Sequence, residues 1–140
     1  MKFSTTIVQQ SWKNVLPIRE EAAALFYRRL FELDPSLRRQ LKGDVAEQSR
    51  KWAAIMSIAV ANLERPFILL PTLYTLGAQQ EKNGIQEHHY DLVGIALIDA
   101  LQRVLGEAFT PEIKAAWADG YRVIANVLKT AGADFSTLAA

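Results

Sequence analysis

The chain has 140 residues, half of them apolar and 22% charged, with a net charge of +1 and no cysteine. That balance suits one folded domain over residues 1–140 and sets aside disorder, a disulfide framework, thiolate metal sites and thiol nucleophiles. The near-neutral charge gives no long-range field toward nucleic acid or an anionic membrane, so neither is expected as a partner.

Apolar residues recur at helical intervals and nothing reads as a strand. A first helix starts near Ser4 or Thr5, carries Val8, Trp12 and Val15 on one face, and ends or kinks at Pro17. The next runs from about Ile18 to Leu33 with Leu25, Phe26, Leu30 and Phe31 inward. Asp34-Pro35 then caps and opens a short helix to about Leu41. After the break at Lys42-Gly43-Asp44, Trp52, Ile55, Met56, Ala59 and Leu63 mark a long helix that Pro66 closes. A helix from Phe67 to about Gln80 follows, kinked or restarted near Pro71, and Asn83-Gly84 signals a tight corner. From Glu87, the stripe Tyr90, Val93, Leu97, Leu101 and Val104 ends at Leu105-Gly106, where glycine suits a left-handed cap. Thr110-Pro111 opens the last helix, with Ile113, Trp117, Tyr121, Ile124 and Leu128 inward and fraying from Gly132. Met1 to Thr6 lacks the apolar stretch of a signal peptide, and no run reaches the roughly 18 apolar residues of a membrane span, so a cytoplasmic protein is expected.

Periodicity alone leaves helical bundles and other all-α architectures open. The strings Ser11-Trp12, Phe26-Tyr27-Arg28-Arg29-Leu30-Phe31-Glu32-Leu33-Asp34-Pro35, Gly84-Ile85 with His89-Tyr90-Asp91-Leu92-Val93-Gly94, and Thr110-Pro111-Glu112-Ile113 with Ala116-Trp117 and Tyr121 decide between them. In this order and spacing they resemble single-domain globins across nearly the whole chain, with bacterial haemoglobins, flavohaemoglobin globin domains and neuroglobin-like proteins the most similar. The resemblance implies an all-α globin fold, a three-on-three sandwich of about seven helices.

It also implies a haem site between the long middle helix and the helix after it, with an iron-binding histidine four residues before the corner glycine. That position holds Gln80, whose neutral carboxamide is a poor substitute for imidazole. Of the proximal set of histidine, tyrosine and glutamate typical of bacterial haemoglobins, Tyr90 alone matches, the glutamate position falling at Gly132. On the other side of the pocket the resemblance places Tyr27, Gln48 and Trp52, with Leu41 where a phenylalanine stacks on haem. Ile85, His89 and Val93 complete the expected lining. A Trp52 ring turned inward would take up space that haem and its gas ligand use.

His88 and His89 are the only histidines. Adjacent on a helix, their side chains diverge by about 100°, and no nearby carboxylate in the sequence completes a metal set with them. The resemblance makes His89 a helix-start or haem-edge residue and leaves Tyr90, a phenolate donor, as the other candidate iron ligand. No Ser/His/Asp arrangement, carboxylate dyad or phosphate loop emerges, so a binder is expected rather than a conventional enzyme.

The expected function is a globin-fold binding or sensing protein whose ordinary haem site is lost. No cofactor is then expected, and the pocket would take a small apolar ligand, a lipid or another tetrapyrrole, or the protein would bind a partner protein. The alternative is a globin that still binds haem through Tyr90 or a displaced His89 and handles oxygen or nitric oxide. Homodimer formation through the last two helices is left open.

Overall fold

The computed structural model describes residues 5–40, 44–65, 71, 75 and 86–139. Among these there are six α-helices and no strand: α1 (Thr5–Val15), α2 (Arg19–Leu33), α3 (Leu37–Gln40), α4 (Val45–Ala61), α5 (Glu87–Leu105) and α6 (Pro111–Ala139). None of the described helices is long and apolar enough to cross a membrane.

Local chemistry sets most of the boundaries. Pro17 sits in a 3-10 turn, Leu16–Ile18, where its missing N–H breaks the ladder between α1 and α2. Asp44 caps α4 by accepting the N–H of Glu47 at 2.7 Å. Gln86 opens α5 through a capping box in which its side chain accepts the His89 N–H and the His89 ring accepts its own. Thr110 accepts the N–H of Ile113 at the start of α6.

Three details depart from the sequence expectation. Gly106 has the positive φ expected of it, 56°, but with ψ −127° it lies outside the left-handed helical region and leads into a second 3-10 turn, Gly106–Ala108. The last helix continues past Gly132 to Ala139 instead of fraying there. Ile55, expected inward, is 37% exposed. The expected helix from Phe67 to Gln80 and the Asn83-Gly84 corner lie outside the described residues, apart from Pro71 and Thr75. Those two are helical, and the Thr75 hydroxyl donates to the Pro71 carbonyl at 3.0 Å.

The core forms where α5 crosses α2 and packs on α6, α2 covers α4, and α1 bridges α4 and α6. Val8, Trp12 and Val15 of α1 meet Trp52 and Val60 of α4 and Trp117 of α6 in one cluster, which also takes in Phe26, Leu30, Leu97 and Leu101. The two deepest indoles have acceptors, as burial demands. Trp117 Nε1 donates to the Ser11 hydroxyl at 2.7 Å, and Trp12 Nε1 to the Ser57 hydroxyl at 3.1 Å. Trp12 and Trp117 are therefore the fold-holding residues expected of them.

Candidate functional site

Tyr27 follows the core residue Phe26 on α2, and its ring lies between those of Phe26, 5.0 Å away, and Phe31, 6.0 Å away. This aromatic setting carries the phenol toward α4, where its hydroxyl meets the main-chain carbonyl of Gln48 at 3.3 Å. That separation exceeds the usual range for an O–H···O bond, so the hydroxyl is weakly held. Burial pushes its pKa up to about 12, which keeps it a neutral donor at ordinary pH. The half-buried Gln48 side chain has no hydrogen-bond partner among the described residues. Seven residues on, along the same stripe of α4, Ile55 presents exposed apolar surface.

The structure thus brings the Tyr27 phenol against the main chain at Gln48. Trp52 is packed into the core cluster. The indole is 8% exposed and stacks on Phe26 at 5.6 Å, with its edge toward Trp12 at 5.7 Å. Its bulk is committed to the junction of α1, α2 and α4. A weakly paired, half-buried hydroxyl, a carboxamide without a partner among the described residues and exposed aliphatic surface on one side of α4 suit a mostly apolar ligand with a polar centre.

Across the expected pocket, Leu41, Gln80 and Ile85 lie outside the described residues. Tyr90 is buried in the first turns of α5, in a small cluster with Ala125 and Leu128 of α6. Val93 is half-buried against the main core. The Tyr121 hydroxyl donates to the Tyr90 carbonyl at 2.7 Å and fixes the start of α5 against α6.

His89 is buried and engaged at both ring nitrogens. Nδ1 accepts the Gln86 N–H at 2.8 Å, and Nε2 lies 3.1 Å from Oδ2 of Asp34. Since Nδ1 is an acceptor, the hydrogen-bond network assigns the proton of the neutral ring to Nε2, which donates to the carboxylate. The other Asp34 oxygen, Oδ1, accepts both the N–H of Ser36 at 3.0 Å and its hydroxyl at 2.6 Å. The Ser36 hydroxyl, first among several causes, holds the Asp34 carboxyl below the usual range. His89 Nε2 is thus turned toward Asp34 at the end of α2, and an iron ligated there would have to displace that contact.

His88 is exposed, as expected, with its ring centroid 4.2 Å from that of His89. Asp34, His88 and His89 each offer a ligand atom within 4.8 Å of the others. The sequence shows no carboxylate for this histidine pair because the partner lies 55 residues upstream, where it reads as a helix cap. Only the packing of the end of α2 beside the start of α5 reveals it.

The family model for globins matches residues 24–128. An anaerobic nitrite reductase of Oryza sativa subsp. indica is 28% identical over 138 residues, covering 92% of this chain and 95% of that protein. A flavohemoprotein of Bordetella parapertussis is 33% identical over 118 residues, 79% of this chain but 29% of that protein. The chain therefore spans nearly all of the plant relative and under a third of the flavohemoprotein. The solved structure of an engineered carbene transferase from Rhodothermus marinus matches with a TM-score of 0.88 at 26% identity, covering 99% of this chain and 100% of that one. Through a match that takes in three-quarters of its length, together with this architecture, the chain belongs to the globin family.

Proposed function

We propose that this globin binds haem beside α4 through an axial ligand other than histidine and handles oxygen or nitric oxide. The carrying observation is the Tyr27 hydroxyl, half-buried, protonated and only weakly bonded to the Gln48 carbonyl at 3.3 Å. Relatives named flavohemoprotein support this reading over a pocket that has given up haem.

Bound haem would supply an iron atom able to take up small diatomic molecules. Tyr27 would donate a hydrogen bond to such a molecule at little cost, since it gives up only a long contact to a carbonyl. The Gln48 carboxamide offers a second donor on the same helix face, and Ile55 offers apolar cover. By resemblance Gln80, outside the described residues, falls at the family's ligand position; Tyr90 is the phenolate donor of the same side, and His89 is the weaker candidate because its Nε2 is turned to Asp34.

Titration of the purified protein with hemin tests the reading. A stoichiometric Soret band is expected, together with a tyrosinate charge-transfer band that Tyr90→Phe abolishes. Gln80→His should convert the spectrum to that of a histidine-ligated globin, and Tyr27→Phe should speed oxygen loss from the reduced protein. Should the wild type give free-hemin absorption alone while Gln80→His develops a sharp Soret band, the haem site is lost and the proposal fails.

A further inference from the structure

We propose that Asp34, His88 and His89 form a binding site for a divalent transition-metal ion, zinc being the ion of choice. The three ligand atoms lie within 4.8 Å of one another, and the separation of His89 Nε2 from Asp34 Oδ2 is 3.1 Å. A tetrahedron built on bonds of roughly 2.0–2.1 Å has edges of about 3.4 Å, so these two atoms already stand close to an edge of one. His88 is exposed and has no hydrogen-bond partner among the described residues, which leaves its side chain free to rotate into a third position. A fourth position remains for water. Two imidazoles and one carboxylate make a borderline donor set that suits zinc better than calcium or magnesium.

The carboxylate is arranged for this role. Ser36 occupies Oδ1 with two hydrogen bonds, so Oδ2 is the oxygen turned to the imidazoles. Outer contacts of this kind orient metal ligands and add to affinity. The burial of His89 anchors one ligand, the ion pairs with the negative charge of Asp34, and the exposed His88 leaves a path from solvent.

Binding carries a structural consequence. The ion replaces the proton on His89 Nε2, and that proton moves to Nδ1, where the Gln86 N–H now donates. Two donors then face each other, so the Gln86 N–H must turn to solvent and half of the capping box opens. Ion uptake and the start of α5 are thereby coupled, with no net release of protons from the ring.

Untagged, metal-stripped protein is titrated with zinc chloride by calorimetry, and the histidine ring nitrogens are followed by ¹⁵N NMR. One ion per chain is expected. Affinity should fall by about tenfold or more in His88→Ala, which alters only an exposed side chain, and likewise in Asp34→Asn. His89 should pass from the Nε2–H to the Nδ1–H tautomer as zinc is added. No uptake, uptake unchanged in both variants, or uptake that leaves the His89 tautomer untouched would each overturn the proposal. None of these readouts involves haem, so the outcome is independent of the haem reading.

Discussion

The ring of Tyr121 lies directly over Gly94 while its hydroxyl bonds to the carbonyl of Tyr90, so one side chain fixes both the spacing and the register of α5 on α6. A Cβ at position 94 would stand 2.9 Å from Cε2 of that ring. Alanine is ordinarily favoured over glycine in a helix by about 1 kcal/mol, yet overpacking an anchored ring costs about 1–3 kcal/mol. Gly94→Ala should therefore lower stability in urea unfolding. In a Tyr121→Leu background the same change should be neutral or stabilising, which separates the steric cause from the backbone one.

Ser11 and Trp117 form a second buried pair, 106 residues apart in sequence. Ser11→Ala leaves the indole N–H without its acceptor and should cost about 1–3 kcal/mol. Trp117→Phe removes the donor along with some ring volume. If the hydrogen bond is what matters, the double variant will lose less than the sum of the single ones. Strict additivity in a denaturation cycle would show that packing alone is at stake.

Trp52 separates a core role from a pocket role. Truncation to alanine removes the ring stacked on Phe26 and is expected to cost about 3–5 kcal/mol, whereas Trp52→Phe should cost much less. Thermal unfolding in the absence of haem measures this directly. A Trp52→Ala protein as stable as the wild type, with hemin affinity increased, would mean that the indole crowds the pocket instead.

Alkali should expose the Tyr27 phenol late. Its folded pKa is pushed up to about 12 from an ordinary value near 10, so folding favours the neutral form. The resulting stability is fully present below about pH 10 and is lost as pH climbs toward 12. Burial raises the Tyr121 phenol as well, so the comparison must be with Tyr27→Phe. In that variant the decline in stability between pH 10 and 12 should be shallower, and absorbance at tyrosinate wavelengths should show one fewer late-titrating group.

Helix boundaries were legible where they rest on neighbouring residues. Pro17, Asp44 and Thr110 act within one turn of themselves, and a local pattern is enough to find them. Inward faces were legible for Trp12, Leu97 and Trp117, whose spacing follows the helical period. Ile55 was misplaced because the stripe shared with Trp52 and Ala59 says nothing about where neighbouring helices stop. The ψ of Gly106 was missed because a positive φ admits more than one turn. At the site, family likeness put Tyr27 and Gln48 on one side of the expected pocket, whereas nothing in the sequence put Asp34 beside His89. That contact depends on the crossing of α2 and α5, which no local spacing encodes.

The three tryptophans carry a spectroscopic consequence. Trp52, Trp12 and Trp117 are the only indoles in the chain, and they stand in series with centroid separations of 5.7 and 6.1 Å. Chromophores this close share excitation, so the intrinsic fluorescence comes from a single site where α1, α4 and α6 meet. Emission should therefore shift as one when that junction opens, and rearrangement at the start of α5 will have to be followed through another probe.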